Sequence, residues 1–319
     1  MKKILVTGAS GQIGSELVPA LRERYGADNV VAGIHRQQLT DEVGGGGPSV
    51  RVDVADRDQI DSAMDLFGID AIFHLASVLS AAAESHRQAA FSVNFTGLYN
   101  VLESAVTHRV SKVVVPSSIA AFGPETPRVT PNDTIQKPNT GYGISKVFGE
   151  LLGNYYYSSV GLDVRGVRLP GIISWKVEPT AGTTDYAVAI FYGVLLDGSY
   201  KCYLSADTML PMMYMPDAVR SLIEVAEADS SRLRHRADFN VAAMSFTPDQ
   251  LAAAIRRRIP HFRVSYEVDP VRQAIADSWP DELRDNVARD EWGWHHEYGL
   301  EETVDDMLEN LSLKLGVRP

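Results

Sequence analysis

Apolar residues fall in two rhythms along the first half of the chain. Short unbroken runs (ILV at 4–6, AIF at 71–73, VVV at 113–115) alternate with segments whose apolar positions recur every three or four residues. Unbroken runs suit strands buried on both faces, as in a parallel sheet. The longer period suits amphipathic helices, and Ile13, Leu17 and Leu21 share one helix face. The pattern predicts strands over residues 3–8, 29–34, 49–54, 70–77 and 111–118. Helices are predicted over 11–26, 56–68 and within 88–108. This alternation predicts an α/β fold, a Rossmann-type doubly wound parallel sheet with helices on both faces. The GGGGPS stretch at 44–49 reads as a flexible, exposed loop.

After Gly161 the rhythm becomes less regular. A strand at 162–170 leads to a loop, GTTD, that opens an apolar helix. There Thr183 or Thr184 is the expected N-cap, Asp185 suits the positive first turn, and Gly198 stops the helix. Residues 201–215 read as extended, 216–228 as a helix with Pro216 near its start, and 237–244 as a strand. Thr247 and Gln250 form a capping box for the next helix, whose end carries Arg256 to Arg258 as cations suited to a helix C-terminus. A strand at 262–268 and further helices complete a smaller α+β lobe. The expected division is a dinucleotide-binding domain of residues 1–170 and 215–243, with a substrate lobe of 171–214 and 244–319.

Composition narrows the class. The chain has 319 residues, 45% of them hydrophobic, so it can build a core without disulfides or metal staples. The net charge of −11, with no basic patch, argues against nucleic-acid binding. Cys202 is the single cysteine, which rules out an intramolecular disulfide and suits a reducing cytoplasm. The apolar run at the start is interrupted by Gly8 and is too short for a signal peptide. No stretch is long enough to span a bilayer. The eight histidines have no ligand spacing, and with one cysteine no metal site is expected.

Three features carry candidate chemistry. Gly8, Gly11 and Gly14 lie between the first strand and the first helix, where small residues let the backbone approach a pyrophosphate at a helix N-terminus. A carboxylate about 20 residues further on would accept the ribose hydroxyls of NAD. That position holds Ile34, followed by His35 and Arg36. Arg36 suits either a 2′-phosphate, favouring NADP, or the adenine face, so the choice between cofactors stays open. Asp53 reads equally as an adenine contact or a strand-end cap.

The second feature is Tyr142 and Lys146, four apart on one helix face. A cation beside a phenol stabilises its phenolate, which makes Tyr142 a candidate general base. The third is Ser117 and Ser118 at a strand C-terminus, the edge where open α/β sheets bind ligands.

Together with HLAS at 74–77 and PSSIAAFG at 116–123, these residues resemble the extended short-chain dehydrogenase/reductases. The resemblance implies Tyr142 as acid/base, Lys146 as its partner and ribose ligand, and Ser118, five residues before Gly123, as donor to the reacting oxygen. It further implies cofactor contacts at Gly8, Gly11, Gln12, Ile13, Arg36, Asp53, Val54, Leu75, Ala76, Pro170 and Ile172. Pro170 to Ile172 would line the nicotinamide carboxamide; their alternative is a strand-ending turn.

Stretches in the second half, RLPGIISWKVEPTAGTTDYAVAIFY, LPMMYMPDA, NVAAMSFTP and IADSWP, closely resemble the short-chain L-threonine 3-dehydrogenases. That resemblance covers nearly the whole chain. It implies NAD-dependent, metal-independent oxidation of the L-threonine C3 hydroxyl to 2-amino-3-oxobutyrate. Substrate contacts would be Ser80, Ser118, Tyr142, Gly182, Thr183, Thr184 and Asp185, with the helix start gripping the carboxylate. A homodimer through the helices at 88–108 and 146–159 is implied as well. Met212, Met213 and Met215 read as adaptable core or pocket lining, and Trp279 as a buried anchor. Two other readings stand beside this one: a nucleotide-sugar epimerase or dehydratase, and a non-catalytic dinucleotide sensor.

Overall fold

Six parallel strands form the main sheet, in the spatial order Ser49–Arg51, Val30–Ile34, Ile4–Thr7, Ala71–His74, Lys112–Val114 and Asp163–Arg165. The computed structural model describes residues 1–36, 39, 41–180 and 182–317; side chains at 41, 42, 80 and 81 lie outside that description. In the register, Val6 stands between Ala32 and Phe73, so the first strand is central and the chain winds outward from it in both directions. The order reverses between Ile4–Thr7 and Ala71–His74, and ligand crevices open at such a switch point. Every residue of these two strands is buried, which is why their sequences are apolar almost throughout.

The predicted strand at 111–118 is interrupted. Pro116 has no N–H to give the ladder, so pairing stops after Val115 and resumes with Ser117 against Arg168. Val167–Leu169 pairs with Ser117–Ser118 on one side and Phe239–Asn240 on the other, forming a separate three-stranded sheet. The helical stretch at 88–108 is a single rod: Arg87–Phe91, a π turn over Ser92–Gly97, and Leu98–Thr107. Asp56 caps Arg57–Phe67 by accepting from the N–H groups of Asp58 and Gln59.

The rest of the chain builds a second core. Gly171–Ile173 runs parallel to Leu210–Tyr214, which pairs antiparallel with Met244–Phe246. Ser199–Cys202 pairs with Arg263–Tyr266, and helices Tyr186–Asp197, Pro248–Arg256 and Leu300–Leu315 pack alongside. Met212 and Met213 are fully buried and point to opposite faces of their strand, one into each core. The capping box at Thr247 and Gln250 forms, and Pro216 sits in the first turn of Met215–Glu227.

Three expectations need correction. The glycine-rich stretch is largely exposed, as expected, but it starts inside the helix Asp41–Gly45 and is tied down by buried Arg22, which donates to the carbonyls of Val43 and Pro48. Residues 201–215 are extended only at 201–202 and 210–214, with turns between the two strands, and Met215 already belongs to the following helix. Of the arginine run, only Arg256 lies in the last helical turn. Arg257 and Arg258 reach the C-terminal helix, pairing with Glu301, and Arg258 also meets Asp305 at 2.6 Å. Among the described residues no helix is long and apolar enough to cross a membrane.

Candidate active site

The first strand ends in a turn that needs glycine. Gly8 has φ +71°, and a Cβ there would stand 2.7 Å from the Ala76 nitrogen. A Cβ at Gly14 would overlap the Gly8 carbonyl oxygen. Gly8, Gly11, Gln12 and Ile13 line the cleft directly before the helix Gly14–Tyr25, whose N-terminus presents positive dipole to it. This cradle fits a dinucleotide pyrophosphate. The fourth strand is tied to the first at the same level: Thr7 Oγ1 lies 2.9 Å from His74 Nδ1, and Leu75 N–H donates to the Thr7 carbonyl at 3.1 Å. His74 is buried, and burial, with the Lys146 charge as a smaller cause, depresses its pKa to about 3.

Thr140 caps the helix Gly141–Tyr155 by accepting from Gly143 N–H at 3.1 Å, and Glu84 accepts from Gly141 N–H at 2.7 Å. Tyr142 and Lys146 therefore sit one turn apart at a fixed helix start. Lys146 Nζ donates to the Pro116 carbonyl at 2.9 Å and stands 5.2 Å from the Tyr142 ring centroid. The strand break at Pro116 thus positions the lysine.

The two serines point in opposite directions, as strand alternation requires. Ser117 is buried and donates to Glu150, whereas Ser118 lines the cleft with its Oγ accepting from Ala120 N–H at 3.2 Å. Arg168 forks onto Glu150 at 2.9 and 2.7 Å and donates to the Asn132 carbonyl and to Asn240.

The cleft measures about 1150 Å³ counting its open mouth. Its lining brings together Ser118, Tyr142 and Lys146 with Leu75, Pro170 and Ile172 and with Gly182 to Asp185. Trp279, expected as an anchor, is 7% exposed and also lines it. Lys146 is its one basic lining residue among those described.

At GTTD the local expectation fails. Thr183–Asp185 is a 3-10 turn entered from Gly182, Tyr186–Asp197 follows, and neither threonine makes a capping bond. The loop is closed by other means. Asp185 Oδ2 accepts from Thr180 N and Oγ1 at 2.5 and 2.6 Å, and Tyr203 OH donates to the Gly182 carbonyl at 2.9 Å. Gly198, at φ 62°, ends the helix as expected.

Arg36, Asp53, Val54 and Ala76 do not line this cleft. Arg36 is exposed beyond the second strand. Asp53 accepts from Ala55 N–H at 2.9 Å and faces His35 Nε2 at 3.3 Å, a strand-end capping arrangement. Val54 is buried in the core, and Ala76 lines a small cavity behind Lys146. Ser80 begins the helix Ser80–Ser85, but its side chain lies outside the described residues.

Sequence reading missed Glu150, Arg168 and Asn94. Glu150 was visible as the next turn of the Tyr142 and Lys146 face. Asn94, in the π turn, binds both the N–H and the carbonyl of Val78, at 2.8 and 3.0 Å, and nothing in the local pattern marked it. Among the described residues no three His, Cys, Asp or Glu side chains gather in a set able to hold a metal ion.

Comparison with known proteins gives these arrangements a context. The profile of the NAD dependent epimerase/dehydratase family matches residues 4–242. An uncharacterized epimerase/dehydratase of Staphylococcus haemolyticus is 46% identical over 98% of this chain and 99% of its own length. The L-threonine dehydrogenase of Clostridium difficile is 48% identical with a TM-score of 0.96, covering 98% of both chains. The holo form of a GalE-like L-threonine dehydrogenase from Cupriavidus necator is 48% identical with a TM-score of 0.93, covering 97% of this chain and 99% of that one.

Proposed function

The chain belongs to the NAD dependent epimerase/dehydratase family, and from that premise we propose that it is an NAD-dependent L-threonine 3-dehydrogenase. The full-length likeness to L-threonine dehydrogenases carries this reading. The chemistry of the cleft supports it: with Lys146 as the one basic lining residue among those described, a nucleotide sugar's diphosphate would lack partners, whereas a small zwitterion would not. The family's other reactions, epimerisation and dehydration of nucleotide sugars, remain the second reading.

NAD, when bound, supplies the hydride acceptor for the hydrogen leaving C3. Tyr142 Oη takes the proton of the C3 hydroxyl, and the Lys146 ammonium near its ring stabilises the negative charge on that oxygen. Ser118 Oγ already accepts from Ala120, which leaves its own hydrogen to donate to the reacting oxygen. Loss of the C3 hydride and the hydroxyl proton gives 2-amino-3-oxobutyrate. The substrate carboxylate meets the turn at Gly182, Thr183 and Thr184, where the N–H groups and hydroxyls of the two threonines can donate; the Gly182 N–H already donates to Thr180 Oγ1 at 3.2 Å. Asp185, with Oδ2 engaged by Thr180, offers its other oxygen to the ammonium.

The test follows nicotinamide reduction with L-threonine and, in parallel, with UDP-sugars. Turnover with threonine alone is expected; turnover with a UDP-sugar alone would replace this reading by the second. Tyr142→Phe should lower kcat by about a thousandfold while NAD affinity stays within twofold. The exposed apolar side chains Phe91, Tyr99, Leu151 and Tyr155 suit a helix-to-helix contact with a second copy. Sedimentation equilibrium should find a dimer, and a monomer would remove that part of the proposal.

A further inference from the structure

One side chain holds the turn at Gly182 to Asp185 from behind. Tyr203 follows the strand Ser199–Cys202, and its hydroxyl donates to two carbonyls of the turn, Gly182 at 2.9 Å and Thr183 at 3.3 Å. Asp185 N–H shares the Gly182 carbonyl at 3.2 Å. Gly182, Thr183 and Thr184 line the cleft, and Tyr203 does not. Thr183 is 4% exposed, and its hydroxyl, on the cleft lining, has no hydrogen-bond partner among the described residues.

The two carbonyls belong to two particular peptide groups. The Gly182 carbonyl shares a plane with the Thr183 N–H, and the Thr183 carbonyl shares one with the Thr184 N–H. Both peptides are trans, so each N–H points away from its own carbonyl. A phenol bonded to both carbonyls therefore turns both N–H groups away from itself, to the cleft side of the turn. A hydrogen bond at the carbonyl end also polarises the peptide and strengthens its N–H as a donor.

The phenol is itself fixed. The Arg272 guanidinium stacks on its ring, 4.1 Å from the centroid, and Tyr186 meets the ring edge-on. Asp269 N–H donates to the Tyr203 carbonyl at 2.9 Å, and the same aspartate caps the helix Pro270–Asp277 that carries Arg272. Burial, with nearby Asp185 as a smaller cause, pushes the Tyr203 phenol well above its ordinary pKa, so it stays protonated and a donor.

We infer that Tyr203 is a positioning residue for the substrate: from behind the turn it aims the N–H groups of Thr183 and Thr184 at the carboxylate. The role rests on the carboxylate site proposed at this turn, and so on the threonine reading.

The test is steady-state kinetics with L-threonine on the intact chain, with NAD affinity measured by titration. Tyr203→Phe keeps the ring and its stacking but removes the donor. It should raise the threonine KM about tenfold with kcat and NAD affinity within about twofold, the pattern of binding lost equally from ground and transition states. Arg272→Gln removes the guanidinium from the ring and should raise KM about threefold in the same one-sided way. An unchanged KM in Tyr203→Phe overturns the inference. So does a loss of kcat or NAD affinity as large as the rise in KM, because a general loosening of the lobe would then explain all three. If Tyr203→Phe fails to fold, Arg272→Gln decides by the same criteria. Wild-type protein that binds NAD but turns over no threonine would remove the threonine reading itself, a failure distinct from an unchanged KM.

Discussion

The two walls of the cleft are held by different physics. Behind the helix Gly141–Tyr155, Glu150 and Arg168 are 3% and 4% exposed and gather Ser117, Gln136, Asn132 and Asn240 into one hydrogen-bonded network. Its members come from distant parts of the sequence. On the opposite wall, the turn at Gly182 to Asp185 is closed chiefly by Thr180 five residues away and by one phenol, Tyr203. The wall that would carry proton transfer is braced by buried, non-local charge. The wall that would grip substrate is braced by the exposed bonds of Thr180 and a single phenol, which can open without disturbing a buried charge.

The first way to break this comparison is Glu150→Ala. It strands the Arg168 guanidinium without its carboxylate and frees the Ser117 hydroxyl. Removing one partner of a buried pair costs about 3–5 kcal/mol, which denaturant unfolding would resolve. Asp185→Asn on the other wall should cost under about 1 kcal/mol, since its partners are exposed. Equal losses at the two positions would dissolve the distinction. A double variant with Arg168→Met should regain much of the Glu150→Ala loss, because no unpaired charge is then buried.

The same contrast governs what could be read from the sequence. The parallel sheet was legible because its strands are apolar almost throughout, and the glycine turn because only glycine fits the approach of Gly8 to Ala76. Tyr142 and Lys146 were legible through helical spacing. The network behind them was not: Arg168 and Asn240 meet only after the sheet has formed, 72 residues apart in sequence. At GTTD the composition pointed to a helix start correctly, but the cap was misassigned. Asp185 turns back to Thr180, Tyr203 holds the Gly182 carbonyl, and neither Thr183 nor Thr184 makes a capping bond.

Thr184→Ala sharpens the substrate wall. A Cβ built on Gly171 would stand 2.8 Å from Thr184 Cγ2, so the Thr184 methyl packs toward that strand. Its hydroxyl is then the part available to the cleft. Loss of one donor to a carboxylate should raise the threonine KM about tenfold with kcat and melting temperature little changed. An unchanged KM would remove Thr184 from the carboxylate site.

The last prediction concerns the pH response of the buried histidine behind the cleft. His74 is buried against Thr7 and beside Lys146, and its pKa lies at about 3 against an ordinary 6.5. The unfolded chain therefore binds a proton at this histidine between about pH 6.5 and 3, while the folded chain does not. Its contribution to stability is complete above pH 6.5 and declines as the pH falls through that window. Between pH 6 and pH 5 the decline should be about 1 kcal/mol, the linkage for nearly one proton. His74→Asn keeps a hydrogen-bonding group for Thr7 but cannot titrate. Unfolding free energies of the two proteins, measured across that interval, should converge by this amount as the pH falls. Parallel curves would mean that His74 already carries its proton in the fold, and a protonated imidazole there would place a second cation behind Lys146.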